Sequence, residues 1–511
     1  MSELVEQKKQ VSADRKAFLQ KAVKIFLMVM LAGLPLVVTD GFSNITETKS
    51  VFFFASSLTF LGVALYHIVK NNKEREKSGL AKEKIRLMPL DIALLCFGGC
   101  VLLSALFSSY QADVWLGIYS RYQGVLTLAV YILLYFVISR YYKYNDSVLI
   151  VAVIAFSVVS LLGVLNCFDI DFIGFYARLA QKYKTSFVST IGNINFYSSY
   201  MCLLMPLVIS GFCQSTGKTI RIVYTAGLVM GSFGMMVTSS ESYALGLGAS
   251  LVVMPLFFIA DLPKLKKFLL SVVIIVASTQ LYCVFYRMAD KINVPLSKTL
   301  TVFTNPVVAL GITVLCALSF LLVTKFPGEL RFIRKIYTAG VILIVVYIAV
   351  CFVISNTIGF GKLDNYFRIT SEWGTYRGKI WGYCIDAFKD FSLKEKLFGV
   401  GPEALHRITA SGNLFEGQSV DQAHNEYLHY LMTSGIFGLV SYLGVIAAVC
   451  GAVVRTLKGS TLAVGIFSAL VSYWIQAGVN LAQPFTTPLM YIYIAIIGGK
   501  VVAEMRKKQQ E

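Results

Sequence analysis

RGKIWGYCIDAF (Arg377–Phe388), GVGPEAL (Gly399–Leu405) and AHNEYLHYLMTSGIFGL (Ala423–Leu439) follow one another in the stretch from Gly359 to Ile436, the one long hydrophilic insertion between apolar runs. On either side of it the chain is mostly hydrocarbon. Hydrophobic residues make up 56% of the sequence and charged residues only 14%, against about 25% charged in soluble domains. Mean hydropathy is +0.69. A chain this apolar is predicted to be an all-α polytopic membrane protein.

Runs long enough to cross about 30 Å of hydrocarbon number fourteen between residues 24 and 504, or twelve to thirteen if short neighbours merge near Ser240–Ser242. They divide the chain into a leader (1–23), a bundle of about eleven spans (24–358), a long loop (359–427), three last spans (428–504) and a basic tail (505–511). The first run follows a charged leader with no small-residue cleavage site behind it, so it is expected to be a retained span. Lysine and arginine orient the whole, because they collect on the cytoplasmic side. With the N-terminus inside, 30 of the 46 basic residues fall in inner segments, and 8 of the other 16 lie in the single loop 359–427. Both termini are therefore expected in the cytoplasm and the long loop outside it, in a multi-pass protein of the cell membrane.

The net charge of +18 is explained by that sidedness, and no nucleic-acid partner is inferred. The ten cysteines lie mostly in apolar runs without the paired spacing of a zinc site, so packing is their expected role and no metal or cofactor is expected. No Lys or Arg sits at the centre of a span, where ion-coupled carriers keep ionisable groups. The polar chemistry gathers at the outer face instead.

In the long loop Arg377, Ile380, Trp381, Cys384, Ile385 and Phe388 recur with the period of one helix face. Arg377 thus falls on the apolar side of an amphipathic helix, where a guanidinium either snorkels or meets an anion such as a phosphate. Gly399 and Gly401 permit a sharp turn, and Pro402 suits the first position of a short helix. Of four histidines, only His424 combines the outer surface with the start of a span, beside Asn425 and three residues after Asp421. It is a candidate proton acceptor, the alternative being a structural hydrogen-bonder. His429 lies about 140° further round a helix. Three other outer segments carry polar groups: YQADVWLGIYSRYQGVLTL (Tyr110–Leu128) with Arg121, STIGNINFYSSYM (Ser189–Met201), and TSSESYALGL (Thr238–Leu247) with Glu241. The aromatics around Arg121 fit an interfacial belt equally well.

Taken in order, WLGIYSRYQG, GNINFYSSY, TSSES, RGKIW, GVGPEAL and AHNEYL…SGIFGL resemble the O-antigen ligase/polymerase superfamily, with its Wzy-type polysaccharide polymerases and WaaL-type ligases. The resemblance runs from about Tyr110 to Leu439 and is most specific in the last block. It implies a helical architecture of the GT-C-like kind and a metal-independent, inverting glycosyltransferase without cofactor. The implied donor is a glycan on undecaprenyl pyrophosphate. A glycan, lipid or protein supplies the acceptor hydroxyl, and membrane lipids surround the site. On this pattern His424 matches the catalytic histidine and Arg377 an arginine contacting the donor pyrophosphate, with Arg121 an earlier arginine of an outer loop. Asn425, Trp381 and Glu241 are further candidates for substrate contact. Many members have Ser-Arg where this chain has Ser240-Glu241, which leaves the arginine's work to another group. Two other classes remain open: a polysaccharide flippase or exporter, and a non-catalytic component of an envelope assembly.

Overall fold

The computed structural model describes residues 2–77, 87–411, 420–457 and 460–510. Part of the expected inner basic cluster (Lys82, Lys84, Arg86) and residues 412–419 of the long loop lie outside the described residues. The chain is an all-α polytopic membrane protein. Its principal helices are α1 (Ser2–Met28, continued by a π turn and Leu34–Leu36), α2 (Ile45–Lys77), α3 (Pro89–Phe107), α4 (Val125–Tyr141), α5 (Asp146–Cys167), α6 (Ile194–Gln214), α7 (Lys218–Val237), α8 (Glu241–Phe258), α9 (Leu262–Met288), α10 (Pro306–Lys325) and α11 (Leu330–Thr357). The long loop folds into α12 (Trp373–Asp390), α13 (Leu393–Phe398) and α14 (Leu405–Ser411), and the chain closes with α15 (Glu426–Ala452), α16 (Thr461–Ala477) and α17 (Thr487–Gln510). Among the described residues twelve helices are long and apolar enough to span a bilayer, and α4 and α16 are shorter apolar helices beside them. The described strands form one two-residue ribbon, Phe187–Val188 antiparallel to Gly192–Asn193.

Helix α6 lies at the centre, with 94% of its most apolar window buried, whereas only 11% of the corresponding window of α11 is buried. Lipid tails are as apolar as leucine, so helices associate in a bilayer through close backbone approach and polar contacts. Helix α16 shows both. A Cβ on Gly246 of α8 would sit 2.6 Å from the Ser472 carbonyl, and one on Gly465 would sit 2.5 Å from Ser210 of α6. Ser199 of α6 then receives the amides of Asn480 (2.9 Å) and Gln483 (3.0 Å) from the turn after α16. The first helix is closed by a buried lysine: Lys49 Nζ donates to the carbonyls of Leu34, Pro35 and Val37 at 2.8, 2.9 and 3.1 Å, satisfying groups that a helix end leaves open. Of the ten cysteines Cys167, Cys202, Cys213, Cys283, Cys351 and Cys384 are buried, whereas Cys100, Cys316 and Cys450 are half-buried and Cys96 is exposed, so a packing role fits most but not all of them.

One break in the bundle positions the rest. Helix α15 is interrupted at Gly435, where φ is +69°. The carbonyls of Met432 and Thr433 instead accept from the N–H groups of Val400 (3.1 Å) and Gly401 (2.9 Å). Gly399 and Gly401 have φ of +78° and +115°, and a Cβ on Gly399 would lie 2.2 Å from the Thr433 backbone. Hydroxyls from α3 complete the seam, Ser104 to the Thr433 carbonyl and Ser108 to the Val400 carbonyl, both at 2.6 Å. Irregular backbone at membrane depth is tolerated only where protein satisfies it, and the GVG turn does this for α15. Pro402–Ala404 continue as a turn, so the helix that Pro402 was expected to open starts at Leu405.

Candidate active site

Helix α12 begins irregularly. Gly374, Thr375 and Tyr376 all take left-handed conformations, and the regular helix starts at Arg377. Such conformations cost of order 1–3 kcal/mol at each non-glycine residue, so the surroundings must hold Thr375 and Tyr376 in place. Their effect is to fold the Arg377 side chain back over the turn, where Nη1 donates to the Gly374 carbonyl at 2.9 Å. Its Nε is buried without a partner. The expected apolar face is largely present: Ile380 and Cys384 are buried, and Trp381 and Phe388 pack beside Leu405, Ala423 and Met432. Ile385 departs from it and is 50% exposed.

Trp381 links this helix to the histidine loop, its indole N–H donating to the Ala423 carbonyl at 2.9 Å. His424 follows directly with φ of +49°. Asn425 then caps α15, its Oδ1 accepting from Leu428 N at 3.0 Å, which is the ordinary task of an asparagine at a helix start. Held from both sides, the half-buried His424 imidazole has no hydrogen-bond partner among the described residues.

Its neighbours are charged. Arg121 Nε bonds Asp421 Oδ2 at 2.7 Å, with the Arg121 guanidinium 5.8 Å from the Phe196 ring of α6. Arg121 is itself flanked by left-handed residues, Ser120 and Tyr122. Burial and then the nearby Arg377 cation push the His424 imidazole down to about 4, with Arg121 adding to this and Asp421 opposing it. Burial would raise the Asp421 carboxyl, but Arg121 outweighs it and holds the group below its usual range. Arg377 is lowered by burial, partly offset by Glu241. The Glu241 carboxylate, exposed at the start of α8, also accepts from Thr299 Oγ1 at 3.1 Å.

Arg121, Arg377, Glu241, Asp421 and His424, separated by up to about 300 residues in sequence, thus share one electrostatic neighbourhood. Trp381 and Asn425 also reach it, with the indole N–H and the cap oxygen committed to the loop's own backbone. Among the described residues no three His, Cys, Asp or Glu side chains are grouped to hold a metal ion.

Within reach of the charges of Arg121 and Asp421 lies a buried glutamate that the sequence reading did not assign. Glu403, of GVGPEAL, has φ of +61° and is only 2% exposed. Gln422 Nε2 donates to its Oε1 at 3.0 Å, His429 Nε2 lies 3.8 Å from the same oxygen, and Oε2 is buried without a partner. Burial pushes this carboxyl up to about 7. Glu403, His429, Gln123, Tyr131 and Thr487 border a small cavity of about 30 Å³, room for a water or two. His424 precedes the helix with its own left-handed backbone, so the helical angle between the two histidines does not apply; His429 is buried beside Glu403. The one sequence signal was an acidic residue directly after Gly-x-Gly-Pro.

No curated protein sequence matches the chain. A family model does: that of the O-antigen ligases matches residues 299–443, a segment that includes Arg377, Trp381, Glu403, Asp421 and His424 and stops short of Arg121 and Glu241. Over those residues, a little over a quarter of its length, the chain is similar to the O-antigen ligases, which supports the resemblance to the O-antigen ligase/polymerase superfamily.

Proposed function

We propose that the protein is a metal-independent, inverting glycosyltransferase that moves a glycan from undecaprenyl pyrophosphate to an acceptor hydroxyl at the outer face of the cytoplasmic membrane, with both termini cytoplasmic. The observation that carries this reading is that two cations, Arg377 and Arg121, both act on one imidazole, His424, and with burial hold it neutral. Two arginines suit a pyrophosphate, since each offers a planar fork of donors to its oxygens. Arg377 brings a buried Nε that has no partner of its own.

In the proposed step the acceptor oxygen attacks the anomeric carbon from the face opposite the pyrophosphate. The bond from the anomeric carbon to the pyrophosphate oxygen breaks, the pyrophosphate departs with the electron pair, and the hydroxyl proton passes to His424. The leaving group is already anionic and activated, so no carboxylic acid need protonate it, in contrast to glycoside hydrolysis. Arg377 and Arg121 stabilise the departing charge. Their field also tunes the base. Unoccupied, they suppress protonation of His424; a bound pyrophosphate neutralises them and raises its proton affinity when a proton acceptor is needed.

The test is purified protein with undecaprenyl-pyrophosphate-linked oligosaccharide and a hydroxyl acceptor. Transfer to the acceptor is expected, and His424→Ala should lower it by about 10²–10⁴-fold with donor binding nearly unchanged. Translocation of the lipid without transfer would instead identify a flippase. Absence of both would identify a non-catalytic component, and a folded His424→Ala protein with ordinary turnover would remove this residue from the mechanism.

A further inference from the structure

Glu403 sits where three outer segments meet. Gly117, in the turn that carries Arg121, has φ of +91°, and a Cβ there would lie 3.2 Å from Glu403 Cγ, so the glutamate stem packs closely against the bare glycine. From the loop that carries His424, Gln422 Nε2 donates to Glu403 Oε1 at 3.0 Å. From α14, His406 Nδ1 bonds the Glu403 carbonyl at 3.0 Å. Glu403 itself is left-handed, with φ of +61°, a conformation that persists in a non-glycine residue only where its surroundings impose it.

Two oxygens at this meeting point, Glu403 Oε2 and Gln422 Oε1, are buried without a partner. Orphaned acceptors are costly, and two on one contact call for a common cause. A carboxylate offers only acceptors, so an ionised Glu403 leaves both bare. A carboxylic acid offers one O–H. Carried on Oε2, it closes a second bond to Gln422 Oε1, and a single proton satisfies both atoms. His429 Nε2, 3.8 Å from Oε1, is outside hydrogen-bond range.

The surroundings favour the neutral acid. Burial pushes the carboxyl up to about 7, with Asp421 and Asp113 adding to the rise and Gln422 and Arg121 opposing it. Arg121 is engaged with Asp421 at 2.7 Å, and Asp113 with Arg407 at 2.7 Å. The other titratable groups facing Glu403 are His406 and His429, with Tyr131 of α4, Tyr430 of α15 and Tyr491 of α17 on the same small cavity.

We propose that Glu403 and Gln422 form an acid–amide pair closed by two hydrogen bonds, and that this pair is a positioning latch holding the His424 loop on the Arg121 turn for transfer. Its service to transfer rests on the glycosyltransferase reading above; the pair itself does not. Deprotonation opens the latch, because the bond from Oε2 is lost and two buried acceptors are left facing each other's charge. Transfer should therefore fall as pH rises through about 7, the reverse of what a histidine base alone gives.

The test uses the purified full-length protein in nanodiscs. Infrared difference spectra of wild type against Glu403→Gln report the C=O stretch of a protonated carboxyl without reference to activity. That band should be present at pH 5 and largely gone by pH 8. At saturating donor, kcat should fall about tenfold from pH 6 to pH 8, following the protonated fraction of a group at about 7. Glu403→Gln, whose amide makes both bonds without a titrating proton, should lose this fall. Gln422→Leu should lower kcat at pH 6 by about tenfold or more, with KM for the donor nearly constant. Absence of the band at pH 5, the mark of a carboxylate hydrated by cavity water, would overturn the pair. An undiminished alkaline fall in Glu403→Gln, or wild-type kcat in a folded Gln422→Leu, would overturn its role in positioning; the first of these keeps the test open where Gln422→Leu does not fold. If the band is present and the wild type transfers no glycan, the pair stands, and its role in transfer falls together with the glycosyltransferase reading.

Discussion

Arg121 and Asp421 are joined by a 2.7 Å ion pair that ties the loop after α3 to the residue three positions before His424. From the sequence alone Asp421 is a candidate to orient the imidazole; in the structure its hydrogen bond goes to Arg121, and it acts on His424 through its charge. Asp421→Asn keeps the shape and removes that charge. Both partners are partly exposed, and pairs of this kind contribute only about 0–1 kcal/mol. Thermal stability should therefore change by a few degrees at most, while His424 becomes a still weaker base and transfer falls at least tenfold. Melting temperature and turnover on one purified sample check this, and unchanged turnover would reduce Asp421 to a tether.

The Trp381 indole N–H holds the Ala423 carbonyl directly before His424, and a positioning role is separable from substrate contact by kinetics. Trp381→Phe preserves most of the ring packing against Trp373, 5.2 Å away, and deletes the N–H that holds the Ala423 carbonyl. A lost hydrogen bond of this kind costs about 1 kcal/mol of stability. Loss of the tether frees the His424 backbone from its left-handed conformation, so kcat is expected to fall by about tenfold or more with KM for the donor nearly constant. A rise in KM alone would make Trp381 a substrate contact, as its place in RGKIW first suggests.

Much of this arrangement was legible because its signals are local. Apolar runs show the membrane bundle, and the spacing from Arg377 to Phe388 shows α12, whose regular part begins at Arg377 as read. What periodicity cannot show is backbone that leaves regular structure. The left-handed turn at Gly374–Tyr376, the break at Gly435 and its seam with Gly399–Gly401 exist only because distant segments satisfy one another. Glu403 escaped for the same reason. Its burial depends on Gln422 and His429 meeting it across the loop, and a glutamate in a hydrophilic stretch gives no sign of that in sequence.

The low proton affinity of His424 yields a signed prediction. Burial and Arg377 hold the imidazole at about 4, so in the donor-free protein it should remain neutral down through pH 5 instead of titrating near the ordinary 6.5. Arg377→Gln removes a neighbouring positive charge, which favours the imidazolium, and must therefore move the midpoint upward. Histidine-selective isotope labelling with NMR detection, assigned through His424→Gln, reads this directly among only four histidines. A wild-type midpoint near 6.5, or no upward movement in Arg377→Gln, would show that Arg377 does not act on His424.

Glu403 ties stability to pH with the opposite sign. Its folded carboxyl is pushed up to about 7, whereas an unfolded glutamate titrates near 4.3. The folded state thus binds more protons between those values, and stability falls as pH rises. The contribution is fully present below about pH 4.3 and is lost as pH climbs through about 7. Glu403→Gln keeps a polar group able to meet Gln422 and His429 and abolishes the titration. The difference in melting temperature between variant and wild type should therefore shift in favour of the variant as pH goes from 5 to 8. Burial of a carboxylate whose own Oε2 has no partner makes the expected gain several degrees at pH 8. If the variant tracks the wild type in parallel across that range, Glu403 is ionised throughout and Arg121 compensates it. In that case the buried group around Glu403 is an ion cluster instead of a protonated acid.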